Sequence, residues 1–114
     1  MIEAKQTATY HKWYRKLKDR KARAIIATRI ERLIYGNPGD ISIVGDGVSE
    51  LRIHYGPGYR IYFARLEQEI ILLLCGGNKT SQHHDIEQAK KILKEPGILT
   101  QLKLAQSPFK GYNR

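Results

Sequence analysis

Four polar side chains alternate along two neighbouring segments in a pattern that could bind and cleave a phosphodiester. Arg52 and His54 precede the turn Gly56–Gly58, and Arg60 and Tyr62 follow it. Because side chains alternate between the two faces of a β-strand, all four are predicted to share one face of a hairpin. The other face of the hairpin is apolar and is predicted to face the core: Leu51, Ile53, Tyr55, Tyr59, Ile61 and Phe63.

The position of the turn predicts how the two strands pair. With a three-residue loop, Tyr55 lies opposite Tyr59, and His54 pairs with Arg60. Arg52 then pairs with Tyr62. Neighbouring side chains on one face lie about 5 to 7 Å apart. The patch is therefore about the size of one phosphodiester.

These residue types suit phosphoryl chemistry. Arginine binds phosphate through two hydrogen bonds and is always charged. Histidine can transfer a proton near neutral pH, and tyrosine can stack on a base or donate a hydrogen bond. The alternative is an ordinary solvated sheet face, which is normally polar. The nuclease hypothesis therefore requires Arg52 and Arg60 to face the same side and that side to remain uncovered.

A second candidate segment, residues 76–85, follows the predicted central strand and begins a helix. A helix N-terminus attracts anions, and Lys79 could add a charge to the same phosphate. His83 or His84 could donate a proton. A metal site is not predicted, because adjacent histidines point apart on a helix and no other His or Cys pattern supports one.

The elements that must position these residues follow from the periodicity. An edge strand is predicted near residues 1–7, a helix from Ala8, and a second helix from Arg20 to Tyr35 that Asp19 could cap. Strands are then predicted at 40–44, 48–55, 59–65 and 70–75, and a third helix from about Thr80 or Ser81 to residue 95. This order predicts an α+β fold with an N-terminal helical hairpin packed on a twisted antiparallel sheet of four or five strands, followed by a C-terminal helix. The helices are expected to cover one face of the sheet.

Composition limits the function classes. The 114 residues fit one domain at 1–95, with a tail at 96–114 whose structure is not assigned. The net charge of +9 favours a polyanionic partner such as nucleic acid, although a solvated surface or an acidic protein partner would also fit. Cys75 is the single cysteine, so no internal disulfide is possible. No signal-peptide pattern or membrane-length apolar run occurs, which predicts a soluble cytoplasmic protein.

Several blocks, in order, resemble a known family. The chain is similar to the HigB-like, phage-derived addiction-module killer branch of the RelE/ParE toxin superfamily over about residues 1–95. The blocks that carry the resemblance are 17–19, 29–33, 36–40, 44–53, 55–62, 73–82 and 85–86.

The resemblance implies an activity and partners. It implies the toxin of a type II toxin–antitoxin pair, an endoribonuclease that cuts mRNA, usually in the ribosomal A site, and needs no metal or cofactor. It also implies a cognate antitoxin, often a helix-turn-helix protein encoded beside the toxin. Operator DNA is expected to be bound only through the toxin–antitoxin complex, and no membrane partner is implied.

The resemblance also suggests roles for individual residues. Arg60 matches the arginine that contacts the scissile phosphate, and Arg52, His54 and Lys79 match neighbouring basic or histidine positions. His83 or His84 lies near the position of a proton donor. The hypothesis is that His54 is the base, that Arg52, Arg60 and Lys79 stabilise charge, and that His83, His84 or Tyr62 protonates the leaving oxygen. Lys18 and Arg20, on the basic helical hairpin, could bind rRNA or an acidic partner.

Three other functions remain open at this stage. A ParE-like toxin would inhibit DNA gyrase and cut no RNA. A nucleic-acid-binding module would bind without cleavage or toxicity, and a decayed toxin would survive only as a partner of the antitoxin. Expression should separate them, because loss of mRNA indicates a ribonuclease and DNA-damage signalling indicates gyrase inhibition.

Overall fold

The computed structural model describes residues 2–67 and 69–98 of the chain. The predicted tail beyond residue 98 therefore lies outside the described residues. Within them, the chain forms five strands, three α-helices and a short 3-10 helix. In chain order these are β1 (Glu3–Gln6), α1 (Ala8–Lys16), α2 (Arg20–Ile34), β2 (Ile41–Gly45), β3 (Val48–Ile53), β4 (Tyr59–Leu66), β5 (Ile70–Asn78), the 3-10 helix (Lys79–Ser81) and α3 (Gln82–Leu93).

The five strands form one sheet in the order β1-β5-β4-β3-β2. Strands β2 to β5 are antiparallel neighbours, as predicted, because short turns connect them in sequence. Strand β1 is an edge strand, as predicted, but it pairs parallel to β5. The sheet is therefore mixed and mostly antiparallel, and the predicted α+β fold is confirmed.

Each helix of the helical hairpin begins at a side-chain cap. Thr7 accepts a hydrogen bond from the Tyr10 amide at the start of α1, and Asp19 accepts one from the Ala22 amide at the start of α2. The inner face of the hairpin packs on one side of the sheet. This cluster contains Tyr10, Ile26, Ile30, Leu33 and Ile34 from the helices and Leu51, Ile53, Ile61, Phe63, Ile71 and Leu73 from the strands.

Helix α3 packs on the opposite side of the sheet, so the expectation of one uncovered face was wrong. Ala89 and Ile92 are buried against a second apolar cluster that includes Leu72 and Leu74. The continuously apolar segment of β5 is explained by this arrangement, because its side chains need apolar neighbours on both faces. The open face that the nuclease hypothesis required is therefore absent over the middle of the sheet.

The β3–β4 hairpin has the predicted faces but a different register. Arg52 pairs with Arg60, and Glu50 pairs with Tyr62, two residues away from the predicted pairing. The connection runs from residue 54 to residue 58, so His54 and Tyr55 lie in the loop rather than in β3. A shift of two residues keeps every side chain on its predicted face.

Two consecutive glycines of β5 allow helices to approach the sheet from both sides. A Cβ atom at Gly76 would overlap the Trp13 ring of α1. At Gly77 it would overlap the Asp85 carboxylate of α3. Gly76 and Gly77 therefore fix how closely α1 and α3 can pack at this end of β5. Within residues 2–67 and 69–98, the structure contains no helix that could span a membrane.

Candidate active site

Four of the five predicted catalytic side chains lie at one end of the sheet, where β3 ends, β4 begins and β5 ends: Arg52, His54, Arg60 and Lys79. Arg52 and Arg60 are cross-strand partners, and Arg60 also pairs with Gly77. They therefore face the same side of the sheet, as the nuclease hypothesis required. The 3-10 helix that carries Lys79 follows directly from β5.

His54 is an exposed histidine held by an aspartate. Its Nε2 atom lies 2.6 Å from Oδ2 of Asp40, and 69% of its side chain is exposed. The hydrogen bond from His54 lowers the pKa of Asp40 below its usual value, so this carboxyl group stays charged at neutral pH. In the neutral tautomer whose Nε2–H donates to Asp40, Nδ1 carries no proton and can accept one. This pair can act in general base catalysis.

Arg52 lies beside this pair and is partly exposed. Its Nε donates to Glu50 at 2.9 Å, and its Nη2 donates to Ser42 at 2.8 Å. Its Nη1 is 3.7 Å from Oδ1 of Asp40, so His54 and Arg52 share this aspartate. About a third of the Arg52 side chain, 35%, remains accessible to a phosphate.

Arg60 is buried, contrary to the prediction that it contacts the phosphate from an open face. It is 7% exposed. Its Nη1 donates to the carbonyl oxygens of Gly58 and Tyr59, at 3.2 and 3.3 Å. Its Nε has no hydrogen-bond partner within the described part of the chain and lies 4.0 Å from Oε2 of Glu50. Arg60 therefore supports the loop and contributes positive charge from below it.

Tyr62 is fully buried, so its predicted contact with RNA is wrong. Its hydroxyl donates to Oε2 of Glu50 at 3.1 Å, and Gln82 of α3 donates to the same oxygen at 2.7 Å. Burial raises the pKa of Tyr62, which makes it a poor proton carrier. Burial alone would also raise the pKa of Glu50, but hydrogen bonds from Arg52, Gln82 and Tyr62 outweigh burial and lower it.

Lys79 is exposed and lies against the β3–β4 loop. A Cβ atom built at Gly58 would be 3.3 Å from Cβ of Lys79 and 3.5 Å from Nη1 of Arg60. The structure therefore brings Lys79 and Arg60 to the same loop. Asn78 caps the 3-10 helix by accepting hydrogen bonds from the amides of Thr80 and Ser81, which holds Lys79 in place.

The two histidines of α3 are exposed, but His84 lies in a different groove. That groove, of about 410 Å³, is formed by α1 and α3 and is lined by Thr9, Glu87, Gln88 and Lys91 among others. The structure therefore does not bring His84 to the arginines. Asp85 is buried and accepts a hydrogen bond from Ser81. Within residues 2–67 and 69–98, no group of three or more His, Cys, Asp or Glu side chains is placed to hold a metal ion.

The basic turn between α1 and α2 adjoins the same loop. Lys18 and Arg20 are exposed on either side of Asp19, whose carboxylate accepts a hydrogen bond from the Tyr55 hydroxyl at 3.0 Å. Lys21 lies over the Tyr55 ring, 5.6 Å from its centre. Tyr55 is the neighbour of His54, so this turn extends the positive surface of the candidate site.

Sequence reasoning missed Asp40, Glu50 and Gln82 as functional candidates. Asp40 immediately precedes β2, and Glu50 alternates with Arg52 on β3, so both were visible as charges near the predicted patch. Their pairing could not be predicted, because it depends on the β3–β4 register and on where α3 packs. For Glu50, the available signal was an acidic residue two positions before Arg52 on the predicted polar face of the hairpin.

The comparisons with known proteins place the chain in a family. Residues 12–95 match the family of phage-derived Gp49-like proteins (DUF891), and the chain belongs to this family. It is also 47% identical over 97 residues to an uncharacterized protein of Haemophilus influenzae, an alignment that covers 85% of this chain and 98% of that protein. The phage-derived part of the resemblance found in the sequence is thereby confirmed.

Proposed function

We propose that this protein is the toxin of a type II toxin–antitoxin pair and that it arrests growth by cleaving mRNA. The observation that carries the proposal is the exposed His54, paired with Asp40 at 2.6 Å beside the partly exposed Arg52. Lys79 borders the same loop. Membership of a phage-derived family and the resemblance to RelE/ParE toxins support the assignment.

The proposed reaction is transesterification at one RNA linkage. Nδ1 of His54 takes the proton of the ribose 2′-OH, and the 2′-oxygen forms a bond to phosphorus. The bond from phosphorus to the 5′-oxygen then breaks, and this oxygen takes up a proton, leaving a 2′,3′-cyclic phosphate and a 5′-OH. Arg52 and Lys79 stabilise the negative charge that develops on the phosphate oxygens. His83, exposed on the first turn of α3, is the candidate donor of that proton.

The basic turn of the helical hairpin favours a large RNA partner. Lys18, Arg20 and Lys21 are exposed and reach the active-site loop through the Asp19–Tyr55 hydrogen bond. A polyanion that crossed from His54 to this turn would gain several phosphate contacts. We therefore propose that cleavage depends on the ribosome, with rRNA on this turn. A helix-turn-helix antitoxin encoded nearby would inhibit the toxin and carry the complex to operator DNA.

The experiment is controlled expression in a bacterium, with growth measured and transcript 5′ ends mapped. The wild type should arrest growth and create new 5′ ends. Arg52→Ala and His54→Gln should each reduce cleavage by about 10²-fold or more. Purified protein should cut mRNA on ribosomes.

Matched controls come from exposed residues of the same types elsewhere. Arg65 is exposed at the opposite end of β4, and His11 is exposed on α1. Arg65→Ala and His11→Gln should leave growth arrest intact. Arg60→Ala is a less informative variant, because Arg60 is buried beside Glu50 and its loss would also lower stability. Growth arrest without new 5′ ends would refute the nuclease proposal.

The closed sheet face favours a second candidate, a toxin that acts by binding alone. Arg60 and Tyr62 are buried by the protein itself, which leaves fewer groups for chemistry than the sequence predicts. A gyrase inhibitor of this kind would induce DNA-damage signalling and leave transcripts intact. Its toxicity would also survive His54→Gln, because proton transfer would play no part.

A further inference from the structure

Glu50 lies at the centre of a buried network that joins three elements. The residue is 0% exposed. Its Oε1 accepts a hydrogen bond from Nε of Arg52 at 2.9 Å. Its Oε2 accepts from the Tyr62 hydroxyl at 3.1 Å and from Nε2 of Gln82 at 2.7 Å, with Nε of Arg60 4.0 Å away. One carboxylate thus links β3, β4 and the first turn of α3.

This arrangement divides the Arg52 guanidinium into an inner and an outer side. The inner Nε is fixed by the buried carboxylate, which can accept about four hydrogen bonds and already accepts three. The outer nitrogens face Ser42 and Asp40, next to His54. A long arginine side chain loses much of its rotamer freedom when it is held in this way, so less has to be lost when it binds a phosphate.

We propose that Glu50 is a positioning residue of the candidate active site, which holds the Arg52 guanidinium in the arrangement that RNA cleavage uses, while Gln82 of α3 helps to hold the Glu50 carboxylate. The inference rests on the proposed nuclease function. Glu50 is buried and touches no substrate, so it acts through Arg52. Its negative charge also offsets part of the positive charge of Arg52 and Arg60, so that the two cross-strand arginines can lie side by side.

The test compares two buried acidic residues. Glu50→Gln keeps the size of the side chain but removes the charge and places an NH₂ group among three donors. The matched control is Asp85→Asn, because Asp85 is also buried and its hydrogen bond from Ser81 can be kept. Cleavage of mRNA on ribosomes is measured for each variant at a temperature where circular dichroism shows it folded. Glu50→Gln should lower kcat by about 10²-fold with KM nearly unchanged, since misplacing a catalytic group by about 1 Å has an effect of that size. Asp85→Asn should keep kcat near that of the wild type.

A double-mutant cycle separates positioning from stability alone. If Glu50 acts through Arg52, then Glu50→Gln should change kcat by no more than about twofold in an Arg52→Ala background. A residue that only stabilises the fold would give effects that multiply. Gln82→Ala provides a milder second variant, with a smaller loss of kcat that should also vanish in the Arg52→Ala background. It carries the test if Glu50→Gln does not fold.

A spectroscopic measurement is independent of activity. The Nε–H resonance of Arg52 should be shifted downfield and exchange slowly in the wild type and in Asp85→Asn, and it should lose both properties in Glu50→Gln. Multiplicative kinetics, or an unchanged resonance, would overturn the role of Glu50 while leaving the nuclease proposal standing. A wild-type protein that cuts no mRNA, with or without ribosomes, would overturn both.

Discussion

The two faces of the sheet differ in how the polarity of their side chains changes along the strands. The face under the helical hairpin is apolar throughout the strand pairs that it covers, with Leu51 opposite Ile61 at its centre. The face under α3 is apolar around Leu72 and Leu74. Towards the end of the sheet it becomes polar, because Glu50 pairs with Tyr62 and the next pair along is Arg52 and Arg60. One face of the sheet is therefore uniformly apolar (the uniform face). The other changes from apolar to polar towards one end (the graded face).

This difference assigns separate tasks to the two faces. The uniform face supplies the apolar burial that stabilises the fold. The graded face holds charged rows at fixed spacing, since the strands beneath them are fixed by the apolar core on the other side. Changes on the hairpin face should therefore alter stability, and changes at the polar end of the α3 face should alter activity more than stability.

The largest change in stability is expected on the hairpin face. Leu51 is 0% exposed in the centre of the apolar cluster. Leu51→Ala should lower the free energy of unfolding by about 2 to 5 kcal/mol, because it removes buried methyl groups and leaves a cavity. Urea denaturation followed by circular dichroism measures this loss. A loss as small as that of an exposed residue would contradict the assigned core.

Tyr62→Phe tests the polar end of the other face. This variant removes the hydroxyl that donates to the buried Glu50 carboxylate and should cost about 1.5 to 3 kcal/mol, as expected for a hydrogen bond to a charged group. Tyr14→Phe is the control, because the Tyr14 hydroxyl donates to an uncharged acceptor, the carbonyl of Arg23. It should cost about 0.5 to 1.5 kcal/mol. Equal losses for the two variants would mean that the charge of Glu50 adds nothing to the network.

Acid should weaken the hydrogen-bond network of Glu50 at the polar end of the α3 face. The pKa of Glu50 is lowered from its ordinary value of 4.5 in the folded protein, so the folded state binds this proton less readily than the unfolded state. The stability that this provides is present above about pH 4.5 and is lost as the pH falls through the folded pKa. In urea denaturation at several pH values, Glu50→Gln should therefore show a shallower loss of stability below about pH 4.5 than the wild type. Parallel curves would show that Glu50 does not titrate in this way.

The smallest effect is expected at the edge of the sheet. Ile43 of β2 is 86% exposed, although β2 pairs with the buried strand β3. Ile43→Ser should change the free energy of unfolding by no more than about 0.5 kcal/mol. Chemical denaturation beside Leu51→Ala gives the direct comparison of an edge position with a core position. A loss of more than about 1 kcal/mol would approach the effect of a core substitution. It would show that the Ile43 side chain is covered in solution.

The sequence predicted the faces of the hairpin but not its register, and the reason is physical. Apolar and polar residues alternate with a period of two, so a shift of two residues leaves every side chain on the same face. The actual register depends on contacts that are distant in sequence. His54 is hydrogen-bonded to Asp40, and Tyr55 is hydrogen-bonded to Asp19. Both residues were predicted at the end of β3 but lie in the five-residue loop that follows it.

The same limit applies to the coverage of the sheet. The apolar run of β5 predicted a strand buried on both faces, yet the hairpin alone could not supply both covers. Helix α3 was predicted, with Ala89 in its apolar stripe. The local sequence pattern of this helix does not indicate which face of the sheet it covers. The positions of Arg52, Arg60 and Lys79 near one loop were predictable from the alternation and the turn. The burial of Arg60 and Tyr62 was not, since it depends on contacts between elements distant in sequence, such as the packing of α3 against Tyr62.

The parallel pairing of β1 with β5 has a consequence for synthesis of the chain. The Thr7 hydroxyl donates to the carbonyl of Leu74, a contact that spans 67 positions. At a translation rate of about 5 to 20 residues per second, roughly 3 to 13 seconds separate the synthesis of Thr7 from that of Leu74. A nascent or truncated chain that ends before β5 lacks both the strand that pairs with β1 and the segment that leads to Lys79. The sheet can therefore be completed only after β5 has been synthesised.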